Sequence, residues 1–188
     1  MGNWDFDPAH STMGFSIRHM MVTNVHGTFR DFAVDATFDP ASPTLGHVVA
    51  TIQAASIDTG QDARDTHLRS ADFLDVEHFP TITFTSTGID HRQDNEYRLR
   101  GDLTIHGQTR AVVFDAEYLG DAVQPQGGRS AGFTAHGKIR RSDFGLTWNM
   151  GMEAGGVVVA DEFKFEIDLE LTQPAVMPAT PVPATAVA

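Results

Sequence analysis

The sequence predicts an all-β chain in which eight antiparallel strands are accompanied by one short helix. Three observations lead there: period-two alternation through most of the chain, turn-forming residues at its breaks, and a single segment that starts like a helix. In the clearest strand Phe163, Phe165, Ile167, Leu169 and Leu171 share one face, while Lys164, Glu166, Asp168 and Glu170 share the other. Antiparallel sheets with one apolar and one wet face require this alternation. With no second helical layer, such strands close into a barrel or stack as a two-sheet sandwich, and alternation alone does not choose between them.

The strands fall near 14–19, 27–39, 45–58, 81–91, 96–105, 108–119, 130–141 and 157–171. The first turns Phe15, Ile17 and His19 inward and Arg18 outward. In the second, apolar parity switches between Phe29 and Phe32, which requires a bulge after Gly27 or a bend. Beyond it Phe32, Val34, Ala36 and Phe38 point inward. Asp39-Pro40 and Ser42-Pro43 turn the chain into the third strand, where Val48, Ala50, Ile52 and Ala54 are inward. The helix is expected over about 60–70, with Asp58 or Thr59 as its cap. Asp62 complements its dipole, and Asp65 with Arg69 makes an i,i+4 pair.

Ile82, Phe84, Ser86 and Gly88 form the inward face of the next strand, and Asp94-Asn95 turns it back. Tyr97, Leu99, Gly101, Leu103 and Ile105 then oppose Arg98, Arg100, Asp102 and Thr104. After His106-Gly107 the inward set is Val112, Phe114, Ala116 and Tyr118; after Gly127-Gly128 it is Phe133, Ala135, Gly137 and Ile139. Gly155-Gly156 precedes the last strand. From Gln173 an uncharged QPAVMPATPVPATAVA segment reads as a poorly ordered tail over 173–188, leaving one domain over 1–172.

Composition narrows the function. A net charge of −12 repels phosphate backbones and anionic membrane surfaces, so no nucleic-acid partner is expected. The absence of cysteine excludes disulfides, thiolate metal sites and cysteine nucleophiles. No apolar run is long enough to span a bilayer, and no export-signal pattern precedes Trp4, so a cytoplasmic location is expected. There is no GxSxG elbow, P-loop, dinucleotide fingerprint or HExxH motif. The Asp58, Gly60, Asp62 and Asp65 cluster lacks EF-hand spacing, and the nine histidines are scattered. No cofactor and no metal are therefore expected. The alternative is a metal-assisted hydrolase or isomerase built on inward His19 and neighbouring carboxylates.

The interior is the distinctive feature. Large inward residues are interrupted by Ala, Gly and Ser, which either leave room for a guest or accommodate barrel taper and kinks at Gly88, Gly101 and Gly137.

Five segments resemble one known family. They are RDTHLRSADFLDVEHFPTITF (64–84), GDLTIHG (101–107), RSDFG (141–145), WDFDPAHSTMGFSIRH (4–19) and VHGTFRDF (25–32). Together they are similar to the YceI-like, polyisoprenoid-binding family over roughly 4–171. The resemblance implies a lipocalin-like antiparallel barrel enclosing a long hydrophobic pocket for a polyprenyl chain. It also implies binding, sequestration or transport of an amphiphilic lipid rather than catalysis. A quinone, a polyprenyl phosphate or a fatty amide suits such a tube. If the tail has about forty carbons, roughly −0.3 kcal/mol per atom gives about −12 kcal/mol, a nanomolar-scale ceiling.

Inward parity then nominates the lining. Phe15, Ile17 and His19 come first, followed by Phe32 and Val34, then Ala50, Ile52 and Ala54. Ile82, Phe84, Leu103 and Phe114 continue it, and Phe133, Ala135 and Ile139 complete the wall. Phe73, Phe144 and Trp148 are expected to plug one end. Tyr97, Tyr118, Ser56 and Ser86 are the other inward polar groups available to a head group. Arg64, His67 and Arg69 attract a pyrophosphate or tie the helix to the barrel end, the second use being preferred. Exposed Ala111 and Val113 make a homodimer possible.

Overall fold

In the computed structural model, which describes residues 2–125, 127–151 and 156–174, the alternating segments join into one antiparallel sheet. Its strands are β1 (Gly2–Phe6), β2 (Thr12–His19), β3 (Thr23–Phe29), β4 (Phe32–Phe38), β5 (His47–Gln53) and β6 (Ile57–Asp58). Then come α1 (Asp62–Arg69), β7 (Thr81–Gln93), β8 (Glu96–Ile105), β9 (Gln108–Val123), β10 (Arg129–Arg140) and β11 (Val159–Gln173). Eight of these strands close a ring in the order β1-β4-β5-β7-β8-β9-β10-β11 and back to β1. The result is a closed antiparallel barrel with, among the described residues, one short α-helix. Strands β2, β3 and β6 form a side ribbon on β11, whose Phe163–Asp168 stretch pairs with β2 while Leu171 and Thr172 pair with β1.

The ring has eight strands, though not the expected eight. The stretch 27–39 is two strands separated at Arg30 and Asp31, and 45–58 is β5, a 3-10 turn at Ala54–Ser56, and β6. The parity switch after Phe29 marks a bend, because the β2–β3 register runs unbroken from Gly14↔Thr28 to His19↔Thr23. Hydrogen bonds hold this corner. Arg30 N–H donates to Ser56 O, Gln53 N–H donates to Asp31 O, and Arg30 pairs with Asp58. The corner's backbone groups are thereby satisfied without a ladder.

Strand β1 was not expected. It closes the barrel by pairing Gly2–Trp4 with β4 and Asp5–Phe6 with β11. Buried Trp4 locks it, donating its indole N–H to Phe38 O at 3.0 Å. The last strand runs through Gln173, one residue beyond the expected domain end, and the rest of the expected tail from Ala175 lies outside the described residues. So does Gly155 of the expected Gly155-Gly156 turn.

The helix forms, but not by the expected contacts. Its N-cap is Gln61, whose side chain makes no capping hydrogen bond. Asp58 instead accepts from Gly60 N–H at 2.7 Å, and buried Asp65 accepts from the N–H and hydroxyl of Thr59. Among the described residues no Asp65–Arg69 pair forms. Arg69 donates to Ala55 O at 2.7 Å and Ile57 O at 2.6 Å, tying the helix to β6 and the corner before it. The structural use of this cationic segment is therefore the one seen for Arg69.

Two inward glycines do not open space. A Cβ at Gly101 would lie 2.6 Å from Thr85 O and inside the Phe84 ring. At Gly137 it would meet Phe165 at 2.7 Å and Phe114 at 3.1 Å. Both positions admit an aromatic ring from a neighbouring strand, a packing device of strongly curved sheets. The rings form a continuous series, with Phe84–Phe114 centroids at 5.1 Å and Phe114–Phe165 at 4.5 Å.

Candidate ligand cavity

Inside the barrel lies a cavity of about 460 Å³, well within the range of small-molecule sites. Alternation creates it. Each ring strand sends every second side chain inward, and alanines at Ala36, Ala50, Ala116 and Ala135 keep those side chains from meeting across the axis. The resulting wall is almost wholly hydrocarbon.

Most of the expected lining residues reach this cavity: Phe15, Ile17 and His19 from β2, Val34 from β4, and Ala50 and Ile52 from β5. Ile82 and Phe84 of β7, Leu103 of β8 and Phe114 of β9 do so too, as do Phe133, Ala135 and Ile139 of β10. Phe73 and Trp148 cover one end. Three expected residues do not line it. Phe32 packs on Phe6 of β1 at 5.1 Å, Ala54 sits buried in the corner turn, and Phe144 is sealed in the 3-10 turn Arg141–Phe144.

Other lining residues were not nominated, notably Met13, Val25, Ile57 and Val158. Val25 was within reach of the sequence, since it lies opposite Ile17 once the hairpin is placed. Arg18 was expected to point away, yet it too borders the cavity, because both it and His19 stand where β2 runs out.

The two ends differ chemically. At the helix end the rim carries Arg18, His19, Thr59, Arg64 and His67. Arg64 is aimed by Thr59, donating Nε to its hydroxyl at 2.7 Å and Nη2 to its carbonyl at 2.9 Å. The His67 ring bonds Asp72 at 2.8 Å and stacks edge-on against Phe73 and Trp148, with centroids at 5.0 and 4.7 Å. These three rings form the plug.

Arg141 positions that plug. Buried, it donates to Leu146 O at 2.5 Å, Trp148 O at 2.8 Å and Ala160 O at 2.9 Å, gathering the carbonyls of two chain segments around one guanidinium. Burial lowers its pKa from the ordinary arginine value, and Asp161 works in the opposite direction. Gly145 ends the preceding turn at φ 76, a left-handed conformation that suits glycine.

At the other end lie Pro43, Gly46, Tyr97, Glu117 and Tyr118. The Tyr118 hydroxyl donates to Asp121, which also pairs with Arg129. Burial first, and then this acceptor, push the Tyr118 pKa above the ordinary tyrosine value. Tyr97 and Tyr118 therefore face the cavity as expected, whereas Ser56 and Ser86 spend their hydroxyls on local contacts. Ser56 donates to Gln53 O at 2.7 Å; Ser86 accepts from Val48 N–H and meets the His47 ring, both at 2.9 Å.

The lining holds few metal-capable groups: His19 and His67 at one end and Glu117 at the other. Among the described residues, the cluster able to bring three such ligands together is Asp7, His10 and Glu170, none of which borders the cavity. Nor is any helix among the described residues long and apolar enough to cross a membrane.

Comparisons with known proteins agree with this geometry. A family model described as the YceI-like domain matches residues 4–171. Protein YceI of Salmonella newport is 41% identical over 147 residues, covering 78% of this chain and 76% of that protein. Among solved structures, Burkholderia cenocepacia BcnA superposes with a TM-score of 0.78 at 27% identity, covering 88% of this chain and 99% of that one. A polyisoprenoid binding domain from Saccharophagus degradans, only 15% identical, shares the fold with a TM-score of 0.64 over 91% of this chain and 98% of its own.

Proposed function

This chain belongs to the YceI-like family, and from that premise we propose that it binds a polyisoprenoid or similar long-chain amphiphile in its barrel and carries it without chemical change. The observation that carries this reading is the cavity: about 460 Å³ of room with a nearly unbroken apolar wall. A hydrocarbon tail gains its free energy there by leaving water, at roughly 25 cal/mol per Å² buried, and needs no catalytic group to do so. That the Saccharophagus degradans domain of the same fold is a polyisoprenoid binding domain supports the class of ligand.

The chemistry of the ends supports an orientation. A phosphate or quinone head group suits the helix end, where Arg18 and Arg64 supply charge and His67 a ring nitrogen. The tail then runs along Ala50 and Ala135 toward the tyrosines. A metal-assisted hydrolase is poorly served by the same cavity, whose histidines and single carboxylate stand at opposite ends.

The test is organic extraction of natively purified protein followed by mass spectrometry, with added polyprenyl phosphate as a second arm. A co-purifying long-chain lipid, or saturable uptake of the added one, is expected. Finding neither overturns the reading.

A further inference from the structure

The hairpin between β2 and β3 breaks two rules at once. Met20, Met21 and Val22 at its tip are 45%, 61% and 77% exposed. Val22 N–H donates to His19 O at 3.1 Å, and the two central residues, Met20 and Met21, have φ of 49 and 62. Turns of that shape favour Asn-Gly, whereas bulky side chains are strained in them. The sequence thus holds large apolar groups in water on a backbone that disfavours them.

The tip is not isolated. Met20 N–H donates to Val158 O at 2.8 Å, and Val158 N–H donates to Met150 O at 3.1 Å. These bonds set Met150 and Val157, 57% and 38% exposed, beside the hairpin and make one apolar patch. The patch adjoins the cavity, since Arg18, His19 and Val158 belong both to its backbone and to the cavity rim.

Charge singles out the same place. The chain has 25 acidic residues against 13 Lys and Arg, yet residues 8–30 contain no Asp or Glu. Arg18 and Arg30 lie in that stretch with His10, His19 and His26, and the described residues 146–151 and 156–160 carry no charge at all. Arg30 is paired with Asp58, while exposed Arg18 has no ion-pair partner among the described residues. The hairpin is thus the least acidic part of its end, where α1 and the segment after it carry Asp62, Asp72 and Asp75 and β11 carries Asp161 and Glu162, so an anionic surface repels the hairpin less than the rest of the molecule.

We propose that the Met20-Met21-Val22 tip, with Met150 and Val157, is a docking surface for an anionic lipid bilayer, placing the helix end of the cavity against the membrane for ligand exchange. Short apolar tips with an adjacent cation bind reversibly at the headgroup boundary. The exchange role rests on the lipid-carrier reading above; the docking itself does not.

Flotation with vesicles of phosphatidylcholine alone, or mixed with phosphatidylglycerol, tests it. The wild-type protein should float with the mixed vesicles. Replacing Met20, Met21 and Val22 together with serine should cut that fraction on the order of tenfold. A second variant, Met20→Asn with Met21→Gly, suits the turn better, so it should melt at a higher temperature and still fail to float. Both variants should keep equilibrium uptake of polyprenyl phosphate from detergent, while uptake from the mixed vesicles slows on the order of tenfold. Wild-type protein that stays unbound with mixed vesicles, or variants that float equally, would overturn the proposal. So would a wild-type dimer in sedimentation that the serine variant dissociates without any flotation, which would assign the patch to a second copy. Flotation without any extractable or added lipid in the barrel would sink the carrier reading and leave docking intact.

Discussion

Replacing Ala135 with tryptophan should block the tunnel while leaving its wall standing. Ala135 is a half-buried residue of β10, opposite Ala116 on one side and Ile167 on the other, and it borders the cavity. An indole there adds about nine non-hydrogen atoms to the bore and displaces a similar length of guest. At roughly 0.3 kcal/mol per ligand atom the loss is about 3 kcal/mol, on the order of a 100-fold rise in Kd. Overpacking opposes clean interpretation, since a large group forced into a filled core costs about 1–3 kcal/mol of stability. Ala50 lies between Val34 and Phe84 and is only 8% exposed, so Ala50→Trp should bear more of that cost than Ala135→Trp. The assay is equilibrium uptake of polyprenyl phosphate from detergent, quantified after extraction, with thermal melting as the control for folding. Two folded variants whose affinities stay within about twofold of wild type would refute the placement of the ligand, because no guest in the bore escapes both indoles.

Further outcomes follow from the polar anchors. Arg141→Ala removes the donors of several buried carbonyls and should cost about 2–4 kcal/mol in chemical denaturation, together with a freed Trp148 seen as a red-shifted emission; an unshifted midpoint would show that the guanidinium does not hold the plug. Stability should also fall on the alkaline side. The pKa values of His10 and His78 are raised, chiefly by hydrogen bonds to Asp7 and Asp75. A raised folded pKa contributes stability that is complete below the unfolded value of about 6.5 and lost as pH climbs through the folded one. A His10→Gln, His78→Gln variant should flatten the decline in Tm above neutrality, and parallel curves for the two proteins would contradict the assignment.

The long hairpins were readable because each alternates over many residues and ends in residues suited to a tight turn. Strand β8 has the bounds expected of it, β7 and β9 run a few residues longer, and β10 and β11 keep the expected length but are shifted by one and two residues. What escaped was held by distant partners. Strand β1 is short and divides its pairing between β4 and β11, so nothing local to Trp4 announces it. That omission explains the misplaced Phe32, whose inward parity is correct but whose room is taken by Phe6. For the inward glycines the sequence leaves two uses open, room for a guest or accommodation of the curved wall, and the second is the one found. At Gly101 and Gly137 neighbouring rings fill the space a side chain would take, and the bore owes its width to alanines. Arg18 escaped because strict alternation stops being informative where a strand ends.

The way β1 bridges β4 and β11 also has a bearing on how the molecule is made. The Thr172 hydroxyl donates to Asp5 O across 167 positions, so the closing seam joins the first and last strands of the barrel. Without β11 the ring cannot close, and β1 and β10 each lose a ladder partner. Loop entropy must be spent before that seam rewards it, which places this protein among slow folders and exposes its unfinished forms to aggregation during translation.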